Sequence, residues 1–90
     1  MVKATPMDAQ ALGLFALATA VSDERRAMRF LDLTGIGTDE LRARAAEPAL
    51  LAALIRFLEA HEPDLVAVSE AMNVKPEALV AARRELEDEE

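Results

Sequence analysis

The sequence predicts an all-α protein: a single compact domain of about five to six helices, packed as an orthogonal or irregular bundle. Three observations carry this. Residues Pro48 to His61 form an apolar run interrupted only by Arg56, Glu59 and His61, and a helix apolar on most of its circumference must be enclosed by others. All four prolines (Pro6, Pro48, Pro63, Pro76) stand where a helix would begin, the position at which a missing N–H has no intrahelical partner. Finally, no stretch shows the sustained apolar–polar alternation of a half-buried strand.

The first helix opens at Thr5-Pro6-Met7-Asp8, with Thr5 as its expected N-cap, and Ala11 to Val21 then runs apolar apart from Gly13 and Thr19. A membrane span needs about 20 apolar residues, so this stretch is too short to cross a bilayer. Lys3 ahead of the run and Ala18-Thr19-Ala20 resemble a signal peptide and its cleavage site. Pro6 and Asp8, however, start a helix where a leader stays basic. The expectation is a buried helix beside the central one.

Ser22 or Asp23 caps a second helix, Glu24 to about Thr34. Ala27, Phe30, Leu31 and Thr34 share one of its faces, while Arg25, Arg29 and Asp32 lie on another. Gly35 suits a left-handed helix end, Ile36 tucks inward, and Thr38 caps a short helix to about Ala46 with Leu41 and Ala45 inward. Glu47 serves as N-cap of the central helix. Glu62-Pro63-Asp64 starts a fifth helix, with Leu65, Val68 and Met72 on its inner face, and Asn73 ends it. Lys75-Pro76-Glu77 begins the last, with Leu79, Ala82 and Leu86 as inner stripe. Residues 1–90 form one helical domain whose ends, 1–4 and 87–90, are expected to fray. Met7, Met28 and Met72 are expected as core filler.

Composition narrows the chemistry. The 90 residues are 52% hydrophobic, without cysteine and with one histidine, which argues for a folded chain. It also removes disulfides, thiolate metal sites and cysteine nucleophiles together. The net charge of −7 is lopsided: residues 1–46 carry six cations and six anions, whereas residues 47–90 carry four cations and eleven anions. An acidic half repels nucleic acid and anionic membrane. No Gly-x-Ser-x-Gly elbow or phosphate loop is present, so no catalytic residue, cofactor or metal site is assigned. His61 with Glu59, Glu62 and Asp64 has poor spacing for a metal or general base; it reads as a surface histidine at a helix end.

Two substructures remain. Thr34–Glu47 and Met72–Glu85 superpose at an offset of 38 residues: Gly35 on Asn73, Ile36 on Val74, Leu41 on Leu79. Two such units are too few for a solenoid, and they read equally as similar helix corners. Leu65–Ala82 resembles the helix-turn-helix of DNA-binding proteins. Its second helix, however, offers Lys75, Glu77, Ala78, Val80 and Ala81 outward, without the donors that read base edges. Arg25, Arg26 and Arg29, with Arg42 and Arg44, form the densest basic group and are the candidate interaction surface. The competing expectation is a solvated face paired with Asp23, Glu24, Asp32 and Glu40.

The order Phe30-Leu31-x-Leu33-Thr34-Gly35-Ile36, Leu41-Arg42-Ala43-Arg44-Ala45, Pro48 to Leu54, and Pro76-Glu77-Ala78-Leu79-x-x-Ala82-Arg83 resembles a small all-helical bacterial family known as a domain of unknown function. The resemblance spans Asp8 to Leu86 and implies a compact cytoplasmic helical protein. It carries no catalytic residues. The function expected first is therefore a protein–protein interaction or adaptor module without catalytic activity. Its partner would be a protein, self in a homodimer or another, with no membrane role. The alternative is a helix-turn-helix DNA-binding regulator using helix 76–87, although the acidic balance disfavours nucleic acid. An enzyme has the least support.

Overall fold

A computed structural model describes residues 8–89, the first of them Asp8. Its carboxylate accepts from the Ala11 N–H at 2.8 Å, satisfying one of the donors that a helix start leaves free, and α1 (Ala9–Val21) follows. The cap expected at Thr5 lies outside the described residues, and the described helix starts at Ala9. Asp23 caps α2 (Glu24–Thr34) through the Arg26 N–H at 2.9 Å. Gly35 ends it in the left-handed region (φ 74°), its N–H bonded to Leu31 O at 2.8 Å. That geometry favours glycine.

The short α3 (Thr38–Ala43) is less extensive than expected, with Gly37 rather than Thr38 at its N-cap. It stops where Arg44 leaves the helix and turns its guanidinium to Glu40 and Glu47. α4 (Pro48–Glu59) starts at proline as expected; Glu47 stands at its N-cap without a side-chain cap bond, its carboxylate being held by Arg44. His61, in extended conformation, precedes α5 (Glu62–Met72). Asn73 closes α5 in the left-handed region (φ 59°). The Asn73 N–H bonds Glu70 O at 3.0 Å and the Val74 N–H bonds Ser69 O at 2.9 Å, the paired bonds of a Schellman end. The last helix, α6 (Pro76–Asp88), runs past the point where fraying is expected. Glu87 accepts from Arg56 and from Arg83, which ties the final turn to α4.

Helices α1, α4, α5 and α6 form the body of the bundle. Leu51, Leu54, Ile55, Leu58, Val68, Leu79 and Leu86 are fully enclosed, with α4 central because apolar residues surround most of its axis. α1 crosses α4 and α6 closely at Gly13, where a Cβ would stand 3.0 Å from Leu51 Cβ and 3.3 Å from Leu86 Cδ1. α2 folds back along α1 and plants one buried ring, Phe30, edge-on against Phe57 of α4 with centroids 5.3 Å apart. α3 rests on the periphery, and Gln10 Nε2 donates to Ala46 O at 3.0 Å just beyond it.

Two expectations change. α1 is not wrapped on all sides: Ala9, Gly13, Ala16, Leu17 and Ala20 are buried, but Leu14 is 37% and Phe15 38% exposed. Four helices form the body, and α2 and α3 cover one flank of α1 without closing over it. Met28 is not core filler but 57% exposed; two positions before Phe30, it falls on the opposite side of α2. Met72 is buried as expected, and Met7 lies outside the described residues.

Gly13→Val is expected to lower stability by about 2 kcal/mol through overpacking against Leu51 and Leu86. The readout is a lower urea midpoint at unchanged slope. An unchanged midpoint would mean that α1 and α4 are not in such close contact.

Candidate functional site

The acid in the first turn of α5 decides where α2 lies. Asp64 is 6% exposed. Arg26 Nε donates to its Oδ1 at 3.1 Å, and Arg29 Nη2 donates to its Oδ2. The Arg29 guanidinium also sits 5.5 Å from the centroid of the Phe57 ring, within reach of a cation–π attraction. Burial pushes the Asp64 carboxyl up, but the Arg26 and Arg29 hydrogen bonds and charges outweigh it and hold it below the usual carboxylate range. A buried carboxylate with two guanidinium partners is satisfied; one with none would be strongly destabilising.

With α2 pinned there, an open apolar groove of about 460 Å³ forms between α1, α2 and α3. Leu14, Leu17, Ala18 and Val21 line it from α1, Ala27 and Leu31 from α2, and Thr38, Leu41 and Arg42 from α3, with Ala45 just after. Thr38 and Arg42 are the only polar residues among these. The groove opens onto the outward stripe of α1 (Ala11, Leu14, Phe15, Ala18), which has the i, i+3, i+4, i+7 spacing of a second apolar face. This groove is the site that the sequence expectation did not single out. Its signal is the unbroken apolar run of α1, which predicts a buried helix and does not say which side is covered.

The five arginines of the candidate surface do not converge. Arg26 and Arg29 serve Asp64. Arg44 bonds Glu47 at 2.9 Å and Glu40 at 3.3 Å, with the Glu47 hydrogen bond foremost in holding its guanidinium above its usual pKa. Arg42 stands at the groove and Arg25 beside exposed Met28 on the outer face of α2; neither makes an ion pair among the described residues. Of the four local acids expected to pair with this group, only Glu40 does so.

The helix-turn-helix-like corner is built on the Asn73 turn, but Arg83 is spent internally. Arg83 donates from Nε and Nη2 to Glu59 at 2.7 and 3.0 Å, and from Nη1 to Glu87 at 3.1 Å. The Glu59 bond leads in holding Arg83 above its usual pKa. Glu87 is held below the carboxylate range, mainly by Arg56. The exposed residues left on α6 are mostly acidic or small: Glu77, Ala81, Arg84, Glu85 and Asp88. His61 is exposed. Of its neighbouring acids, Glu59 turns to Arg83 and Asp64 to Arg26 and Arg29. Among the described residues, no three His, Asp or Glu side chains converge to hold a metal ion, and no helix is long and apolar enough to cross a membrane.

The fold and site define a small all-α bundle in which, among the described residues, nothing covers the outward apolar face of α1. The chain belongs to the family described as "Protein of unknown function (DUF3572)", whose model matches residues 6–89. No curated protein and no solved structure matches it.

Asp64→Asn is expected to lower stability at pH 7 by about 2 kcal/mol, because two guanidiniums lose their charge partner. The native Asp64 pKa lies below its unfolded value, so its contribution is present above the unfolded pKa and is lost as pH falls through the native one. The gap between wild type and variant therefore closes as pH drops below about 4, as read from urea midpoints. A gap independent of pH would contradict the pairing.

Proposed function

We propose that the protein is a non-catalytic interaction module of the cytoplasm that receives an apolar helix of a protein partner along the outward face of α1. What supports the reading is the groove between α1, α2 and α3: apolar apart from Thr38 and Arg42, and continuous with exposed Leu14 and Phe15. Helix-in-groove recognition uses such a surface, with anchors spaced at i, i+3, i+4 and i+7 on the incoming helix. A contiguous exposed apolar face on a small domain marks an interface more often than chance. Arg42 at the rim favours an acidic side chain beside the incoming anchors.

The DNA-binding alternative is the weaker one. Phosphate contact requires cations free to displace counterions, and Arg83 is engaged with Glu59 and Glu87.

A photo-reactive residue placed at Phe15 or Leu41 is expected to form protein adducts in native extract, whereas one at Arg84 forms none and captures no duplex DNA. Adducts to DNA at Arg84, with none to protein at Phe15 and Leu41, would replace this reading by the DNA-binding one.

A further inference from the structure

We propose that the partner is a second copy of this chain, docked face to face along α1 about a two-fold axis, with each Phe15 ring entering the other copy's groove. This rests on the interaction-module reading and names its occupant. Phe15 is exposed and stands beside the groove, whereas its neighbours Leu14 and Ala18 line it. A projecting ring and an adjacent apolar recess complement each other, and within one chain the ring does not line the recess. A two-fold axis brings them together twice, which is the requirement for an isologous contact. The small residues Ala11 and Ala18 at the ends of the stripe leave room for the facing helix to approach.

Charge favours the same arrangement. The whole excess of −7 falls in residues 47–90, while residues 1–46 balance. The acidic α6 meets α1 on its inward side, where Leu86 approaches Gly13. A second copy on the outward side therefore keeps the two acidic helices apart, whereas contact through α6 would set like charges together. Arg42, which lines the groove, makes no ion pair among the described residues and is available to an acid of the facing copy.

The size of the face sets the strength. A helix of α1's length spans about 20 Å, and neighbouring helices stand about 8–10 Å apart. Taken across two such spacings, the face covers roughly 320–400 Å² per copy, at most about half the ~800 Å² of a standard interface. The contact belongs to the weak, reversible class.

Sedimentation from about 1 µM to about 1 mM, a range that brackets weak association, tests it. Wild-type mass is expected to rise from the monomer's toward twice that value. Phe15→Glu and Ala18→Glu should weaken self-association at least ten-fold at unchanged helicity, and Arg84→Glu should leave it intact. Phe15→Ala, which removes only the ring, carries the same expectation should a charged variant fail to fold. A wild-type chain that stays monomeric throughout, or Phe15 and Ala18 variants that associate like wild type, would overturn the proposal. If the chain is monomeric but Phe15 still photo-captures a different protein, self-pairing fails and the interaction module stands; if Phe15 captures no protein at all, both fail.

Discussion

A single buried carboxylate sets the shape of the binding face. Asp64 lies at the start of α5, where the positive end of the helix favours an acid, and it draws Arg26 and Arg29 across from α2. Beyond those two contacts, α2 has one enclosed side chain, Phe30. Its hold on the body is therefore part electrostatic and part a single aromatic edge against Phe57. The arginines differ in burial, with side-chain exposures of 14% for Arg26 and 46% for Arg29. Arg26 accordingly contributes more to the tie, since screening by water weakens the more exposed pair. Held this way, α2 forms one wall of the groove, and Gly35 turns the chain so that α3 forms the other.

The second constraint is that α1 is apolar on both sides and the fold uses only one. The inward side is made of small residues, Ala9, Gly13, Ala16 and Ala20, with Leu17. Gly13 lets the helix settle against Leu51 and Leu86 at a distance that a side chain would prevent. The larger residues, Leu14 and Phe15, point the other way. A helix with its small residues buried and its large ones outward is poorly used by a monomer, and the proposed function gives the outward set a task. Charge is divided along the same line: the neutral half of the chain, residues 1–46, carries the groove, and the acidic half supplies α4, α5 and α6 on the inward side of α1.

The helix boundaries were largely legible in the sequence because their causes are local. Pro48, Pro63 and Pro76 mark starts, Asp23 caps α2, and Gly35 and Asn73 end helices in the left-handed region; each acts within a few residues. The core of α4 was legible from its composition alone. The site was not, because it depends on distant partners. Asp64 lies 38 residues from Arg26 and 35 from Arg29, so sequence proximity sets the arginines beside nearer acids and gives Asp64 no partner. Arg83 reaches Glu59 across 24 residues, which takes one of the few cations of the helix-turn-helix-like corner away from solvent. α1 misled for a different reason: its apolar content does not say which side is covered, and Phe15 and Met28 are exposed by an arrangement that only the placement of α2 and α3 decides.

The central claim is a two-tier molecule, a tight body of α1, α4, α5 and α6 carrying an α2–α3 arm that Asp64 pins over the face of α1. Native-state hydrogen exchange measures those tiers directly. The amides of α4 from Leu51 to Leu58 should exchange only through global unfolding. Those of α3 and the second half of α2 should open at distinctly lower free energy, and as one unit. Equal protection in α3 and α4 would contradict the account, since the groove wall would then belong to the body rather than lean against it.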